Sequence, residues 1–382
     1  MSNKYINRIL KISFLIIAVL FSSLFFQFTS LRDTSHSGIR VYGFYQEPRD
    51  SLDVIVMGAS EVYVGYNAPM AYSKYGFTSY PYAVAGNRPS AWKTMIREIQ
   101  STQKPKLIAI EINGLCYQKE EQFNDLASSH YVIDQIPDWD RKSQAIAEMG
   151  CEDSIAYYIP IAKYKNKIFK KDGKQINTDF ITMKLRGYSL LKGNFGVTGY
   201  FPAKGKVLDV SENENRRKMN VKFEDELIKF LEYCKKNDID NILFYKAVHR
   251  ITDINGFEKN VEYANSAEDI IKKYGYNVAR FDKVKYKDID IDPDKDFYND
   301  GHLNYKGQQK FTDYFSKYIV ENYDIKPSNL NYIDRQHWEE SVEYTKLYYK
   351  YAEELTNEGK KDPLSENKRV IRKLKEMKEK GQ

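Results

Sequence analysis

A serine hydroxyl attacks an acyl carbonyl only when a neighbouring base takes its proton, and two stretches of this sequence could bring such a pair together. In the first, Asp53-Val54-Ile55-Val56-Met57 runs into Gly58-Ala59-Ser60-Glu61. In the second, Phe297-Tyr298-Asn299-Asp300-Gly301-His302-Leu303-Asn304 precedes a helical pattern. An apolar β-type run ending in Gly-x-Ser sets a hydroxyl at the carboxyl end of a buried strand, where Gly58 permits a tight turn into a helix. Ser60 is therefore the candidate nucleophile and His302 the candidate base. A helix-capping serine and a surface-loop histidine are the plainer readings of the same residues. His249, in Ala247-Val248-His249-Arg250 at a second expected strand end, is the rival base. His36, His130 and His337 fall in the expected stem, insertion and tail, and are set aside.

These residues need a scaffold, and the hydrophobic pattern supplies one. Apolar β-type runs at 53–57, 79–84, 106–112, 241–247 and 277–281 alternate with helical periods at 68–75, 89–100, 221–236, 258–274 and 306–323. Such alternation implies parallel β-α-β units and an α/β sandwich whose ligands bind at the strand carboxyl ends. The stretch 115–220 breaks the rhythm with Trp139, Tyr157-Tyr158-Ile159-Pro160 and Gly187, Gly193, Gly196 and Gly199. A structureless loop of that length is rare in a compact domain, so a helical and irregular insertion covering one side of the site is expected. The domain reading is an anchor over 1–30, a polar stem over 31–50, the α/β domain over 51–325 and a helical, basic tail over 326–382. In that tail, 364–377 reads as a basic amphipathic helix. It would lie on an anionic membrane surface, dock on a partner, or remain a solvated terminal helix.

Composition narrows the function classes. The 382 residues carry 59 Lys and Arg against 53 Asp and Glu, a formal +6 concentrated near the end rather than in a nucleic-acid stripe. No nucleic-acid partner is expected. The 32 tyrosines fit an aromatic-rich surface facing carbohydrate, or compositional drift of the genome. Cys116, Cys151 and Cys234 match no zinc spacing, and an odd count forms no complete disulfide framework. Apart from the Asp-rich stretch 288–300 no His/Asp cluster is visible, so no metal or other cofactor is expected. The N-terminal run 12–28 is almost unbroken apolar sequence behind Lys4, Arg8 and Lys11. Counted from Ile9 it reaches the roughly 20 residues that span a bilayer, and its positive flank keeps the N-terminus cytoplasmic. A cleaved signal peptide is the alternative; the absence of a small-x-small site after the run favours a retained anchor. The expected location is the cell membrane, single-pass, with the catalytic domain outside the cytoplasm.

The strand ending in Gly-x-Ser, Gly86-Asn87 after the second strand, Asn113 after the third and the late Asx-x-x-His resemble the SGNH (GDSL-like) hydrolase superfamily. The anchored, exported arrangement and Asp296-Phe297-Tyr298-Asn299-Asp300-Gly301-His302-Leu303-Asn304 look like its membrane-anchored DltD-like branch. The resemblance implies a flavodoxin-like, three-layer αβα sandwich around a parallel sheet. It implies Ser60 as nucleophile, His302 as base, and an oxyanion hole from the N–H groups of Ser60 and Gly86 with the Asn113 amide. It further implies a cell-surface polymer substrate and a membrane-bound O-acyltransferase as partner. Where the family pattern carries Asp three residues before the histidine, this chain has Asn299, with Asp300 next to it. Either Asn299 orients His302 as a neutral group, or Asp300 reaches it through a local turn. The expected function is an exported, membrane-anchored serine acyl-ester enzyme, an O-acyltransferase or esterase acting on surface polysaccharide or teichoic-type polymer. The alternative is a weak or inactive accessory protein that binds glycan or the acyltransferase.

Overall fold

Strands covered on both faces read as continuous apolar runs, and the runs 54–58, 107–111 and 242–246 are buried over their full length. The computed structural model describes residues 3–30, 36–116, 118, 126–151, 154–158 and 179–381. The first half contains α1 (Asn3–Ser30), α2 (His36–Phe44), β1 (Val54–Gly58), α3 (Ser60–Gly65), α4 (Ala68–Tyr75), β2 (Ser79–Ala83), α5 (Pro89–Thr102) and β3 (Leu107–Glu111). The insertion holds α6 (Leu126–Ile133), α7 (Trp139–Glu148), α8 (Ser154–Tyr158), α9 (Asp179–Arg186) and β4 (Gly196–Val197). There follow α10 (Val221–Lys236), β5 (Ile242–Lys246), α11 (Glu258–Lys273), β6 (Asn277–Arg280), β7 (Phe297–Asn299), β8 (His302–Leu303) and α12 (Tyr305–Asn322). The chain closes with α13 (Tyr332–Asn357), β9 (Pro363–Leu364) and α14 (Lys368–Glu379).

Five strands form one parallel sheet in the order β2-β1-β3-β5-β6. The chain moves outward from β1 to β2 and then returns past β1 to β3. The loops leaving β1 and β3 therefore diverge, which opens a crevice at their carboxyl ends. Successive side chains of a strand point to opposite faces, and β5 shows it clearly. Phe244 meets Trp92 of α5 and Phe230 of α10 on one face, at ring separations of 6.5 and 6.3 Å. Tyr245 meets Phe315 of α12 on the other, at 4.7 Å. Helices thus cover both faces, as the sequence alternation implies.

Three regions depart from the sequence reading. Residues 36–44 are no solvated stem: they form α2, whose Ile39, Val41, Tyr42 and Phe44 are buried. Its Arg40 is buried too, donating from Nε to Gly193 O (3.0 Å) and from Nη1 to Ala83 O (3.1 Å), over the Tyr63 ring at 3.7 Å. One guanidinium therefore ties α2 to the end of β2, to α3 and to the insertion. Residues 31–35 of the expected stem lie outside the described residues, as do Ile159 and Pro160 with all of 159–178.

The tail is not peripheral either. Val370, Leu374 and Met377 of α14 are buried with Tyr344, Leu347 and Tyr348 of α13. β9 pairs with β4, and Glu366 accepts from Ser189 Oγ, at 2.6 Å, and from the Leu190 and Leu191 N–H groups, both at 2.9 Å. The apolar face that a membrane surface or partner would need is already covered from within. By contrast, α1 carries Lys4–Ser23, a stretch long and apolar enough to cross a membrane, with mean hydropathy 1.7 and none of it buried.

Candidate active site

Ser60 opens α3 directly beyond the end of β1. The turn depends on Gly58, whose φ is 153°. A Cβ there would stand 2.8 Å from both Glu111 Cβ and Val62 Cγ2, so only glycine lets the turn close. Asn87 Nδ2, from the loop after β2, donates to Gly58 O at 3.0 Å and holds that turn from the side.

His302 comes from the short β7–β8 pairing just before α12. Its Nε2 lies 2.7 Å from Ser60 Oγ and its Nδ1 lies 2.9 Å from Asn299 Oδ1. Tautomer and direction follow from a third contact. The Gly301 N–H, an unambiguous donor, points at the same Asn299 Oδ1 at 2.9 Å. That atom must therefore be oxygen, so His302 Nδ1 carries the hydrogen and Nε2 is left bare toward the serine. Tyr298 stacks on the imidazole at 5.4 Å.

Asp300 does not reach the histidine. Its Oδ1 accepts from Arg250 Nε (2.8 Å) and Nη2 (2.5 Å), and its carbonyl accepts the Arg250 N–H at 2.9 Å. Arg250 is fully buried and also donates to Pro293 O (2.8 Å) and Phe201 O. Asp300 is thus corrected from an orienter of His302 to an anchor of the loop that carries it. Asn304 completes that loop: it caps α12 and donates to Gly199 O and Lys295 O. Of the two alternatives left open by the sequence, the structure places Asn299 on the ring.

Asn113 also takes another task. Its Oδ1 accepts from Lys246 Nζ at 2.7 Å, and because an ammonium only donates, Nδ2 is the atom turned to Glu61 Oε1. The side chain expected in the oxyanion hole is fully buried and bound to a carboxylate instead. Gly86 stands in a left-handed turn (φ 66°) after β2, the strand paired with β1. Among the described residues no acceptor meets its N–H.

Beneath Ser60 lies a charged layer that the sequence reading missed. Glu61, Glu111, Asn113, Lys246 and His249 are all buried. Glu111 accepts the backbone N–H groups of Asn113 (2.8 Å) and Ala247 (3.2 Å), with Lys246 Nζ at 3.8 Å. His249 Nδ1 faces Lys246 at 3.5 Å, and its Nε2 approaches Glu61 Oε1 at 3.5 Å. That last contact is a close approach without hydrogen-bond geometry, for Nε2 has no aligned acceptor. Glu61 Oε2 in turn lies 3.4 Å from Ser60 Oγ.

Burial and charge set the protonation states. Burial pulls the His302 pKa below the usual 6.5, with Lys246 reinforcing and Glu61 opposing it. Burial likewise lowers His249, to about 4, helped by Lys246 and opposed by Glu61. Glu61 is pushed up by burial, but His249, His302 and Lys246 outweigh it and hold the carboxyl well below its ordinary range. Burial wins at Glu111, whose pKa is raised against the pull of Lys246. Both histidines are therefore neutral near pH 7, while Glu61 is ionised.

One signal for this layer was present in the sequence. Strands 107–111 and 242–246 are apolar runs that end in opposite charges, Glu111 and Lys246, and they are neighbours in the sheet. No protein-family model matches the chain, and no curated protein matches it.

Proposed function

We propose that this chain is a membrane-anchored serine acyl-ester enzyme of SGNH type, an O-acyltransferase or esterase working on a cell-surface polysaccharide or teichoic-type polymer. The observation that carries the reading is the continuous relay from Ser60 Oγ through His302 to Asn299, at 2.7 and 2.9 Å. In the first half-reaction Ser60 Oγ bonds to the acyl carbonyl carbon while its proton passes to His302 Nε2. The tetrahedral centre collapses, the ester C–O bond breaks, and the departing alkoxide takes that proton. In the second, a water or sugar hydroxyl gives its proton to Nε2 and attacks the acyl carbon, the bond from that carbon to Ser60 Oγ breaks, and Oγ takes the proton back from Nε2. The N–H groups of Ser60 and Gly86 are the backbone donors available to the oxyanion.

Asparagine in the third position is compatible with this chemistry. Replacing the aspartate of a Ser-His-Asp site costs about 10⁴ in rate chiefly because the imidazole adopts the wrong tautomer. Here the Gly301 N–H fixes Asn299 Oδ1 toward the ring, so the productive tautomer is kept. Export and the polymer substrate rest on α1 and on the sequence resemblance; an adjacent membrane-bound O-acyltransferase would then be the natural acyl donor.

A fluorophosphonate probe applied to the purified full chain in detergent tests the site directly. Ser60 is expected to carry the label, Ser60→Ala to abolish labelling, and His302→Ala to slow it on the order of a thousandfold or more. Labelling that survives Ser60→Ala would sink the reading. In cells, Ser60→Ala should change the acyl content of the surface polymer. The neutral Asn299 favours one competing reading, an inactive accessory that binds glycan or the acyltransferase, and a folded wild-type chain inert to the probe would select it.

A further inference from the structure

An imidazole that accepts a serine proton becomes a cation in a largely enclosed site, and some fixed negative charge must face it or the barrier rises. Asn299 carries no charge, and Asp300 is committed to Arg250. We propose that Glu61, the residue after the nucleophile, is the positioning residue that supplies this countercharge, acting across the reacting oxygen instead of from behind the ring. The inference rests on the reading of Ser60 as the acylated residue.

Geometry carries it. Ser60 Oγ is shared: His302 Nε2 stands at 2.7 Å and Glu61 Oε2 at 3.4 Å from the same atom. The other carboxylate oxygen accepts from Asn113 Nδ2, and Asn113 Oδ1 is fixed by Lys246. Glu61 is therefore aimed by a chain of two side chains from two neighbouring strand ends. It is 3% exposed, so water and salt screen its field only weakly.

Among the described residues, charged or titratable groups face this pair from several elements, including Tyr63 of α3 and Tyr245 of β5. Lys246 and His249 face Glu61 from the end of β5, and Glu111 faces Lys246 from the end of β3. His302, with Tyr298 stacked on it, faces Glu61 from the β7–β8 loop. Lys246 opposes the imidazolium, while Glu61 favours it. With the carboxylate so close to Oγ, a free alkoxide is disfavoured. Serine deprotonation and bond formation to the acyl carbon then occur together, since negative charge moves out to the carbonyl oxygen as the imidazolium forms.

The pH profile of fluorophosphonate labelling, measured on the full chain in detergent, tests this. In that reaction the Oγ–P bond forms, the P–F bond breaks, fluoride leaves and the serine proton goes to His302 Nε2. Glu61→Gln is expected to lower the acid midpoint of the labelling rate by about one unit and to slow the plateau about tenfold or more, whereas Glu61→Asp keeps the midpoint. Asn299→Asp combined with Glu61→Gln should restore both the midpoint and most of the rate. A Glu61→Gln midpoint equal to that of wild type would overturn the proposal, since a purely structural loss lowers the amplitude without moving the midpoint. If Glu61→Gln does not fold, Asn299→Asp alone decides. With a countercharge already present it should accelerate labelling less than about tenfold; a gain on the order of a hundredfold or more would show that the site lacked one. A wild-type chain that takes no label at Ser60 overturns the underlying reading, and this inference with it.

Discussion

Two layers of polar side chains meet at Ser60 and are built on opposite plans. The upper relay, His302 and Asn299, is neutral, partly open and carried on a short loop. The lower layer, Glu61, Glu111, Lys246 and His249 with Asn113, is buried and holds its charge at the carboxyl ends of β3 and β5 and in the first turn of α3. A loop can present a base to substrate, but its position must be enforced from outside, and Arg250, Asp300 and Asn304 do that. Strand ends need no such enforcement, because the sheet register holds them. On the proposed reading the difference is a division of labour: charge sits where side chains are buried against the sheet, and proton transfer would take place where a substrate can enter.

Removing one charge from the rigid layer should do the most damage. Lys246→Met leaves the ionised Glu61 buried without its ammonium, and unfolding of the detergent-solubilised chain should register a loss of about 3–5 kcal/mol. A loss below about 1 kcal/mol would mean that the layer is not held together by charge. Weakening the enforcement of the loop comes next. Arg250→Leu should slow Ser60 labelling on the order of a hundredfold, through a displacement of His302 of about 1 Å; an unchanged rate would make the loop self-sufficient.

Acidification probes the upper layer alone. Protonated Nε2 cannot accept the serine proton, and burial sets the His302 pKa below 6.5. Labelling should therefore be flat from pH 8 to 7 and fall about tenfold per unit once pH drops below that depressed pKa. An acid midpoint above 6.5 would contradict the burial of the ring. The smallest effect on the site belongs to a change remote from both layers. Leu374→Ala, in the interface of α14 with α13, should cost about 2–5 kcal/mol in stability while leaving the labelling rate of the folded protein unchanged.

Much of this arrangement could be read from residue order, for a physical reason. A parallel α/β fold writes its strands as apolar runs and its helices as 3.6-residue periods, so the ends of 54–58 and 107–111 were visible, and with them Ser60 and Asn113. His302 was visible through the turn formers around it. What stayed hidden were the partners, because tertiary contacts decide them. Nothing local shows whether Asn299 or Asp300 faces the imidazole; that depends on Arg250, 50 residues away. Asn113 read as an open donor because its engagement with Lys246 and Glu61 joins three elements far apart in sequence, the turn after β3, the end of β5 and the start of α3. The burial of α2 was hidden by its polar residues: Ser37 and Arg40 lie inside the fold, Arg40 with backbone carbonyls and aromatic rings as its partners.

That buried helix shortens the leash. A stem over 31–50 would let the α/β body roam widely from an anchored helix. With α2 locked down from His36 onward, only residues 31–35 separate it from α1. At about 3.5 Å per residue their fully stretched reach is about 20 Å. An enzyme anchored through α1 would be confined to a thin shell over the bilayer, meeting acyl donors in the membrane at high local concentration and distant polymer hardly at all.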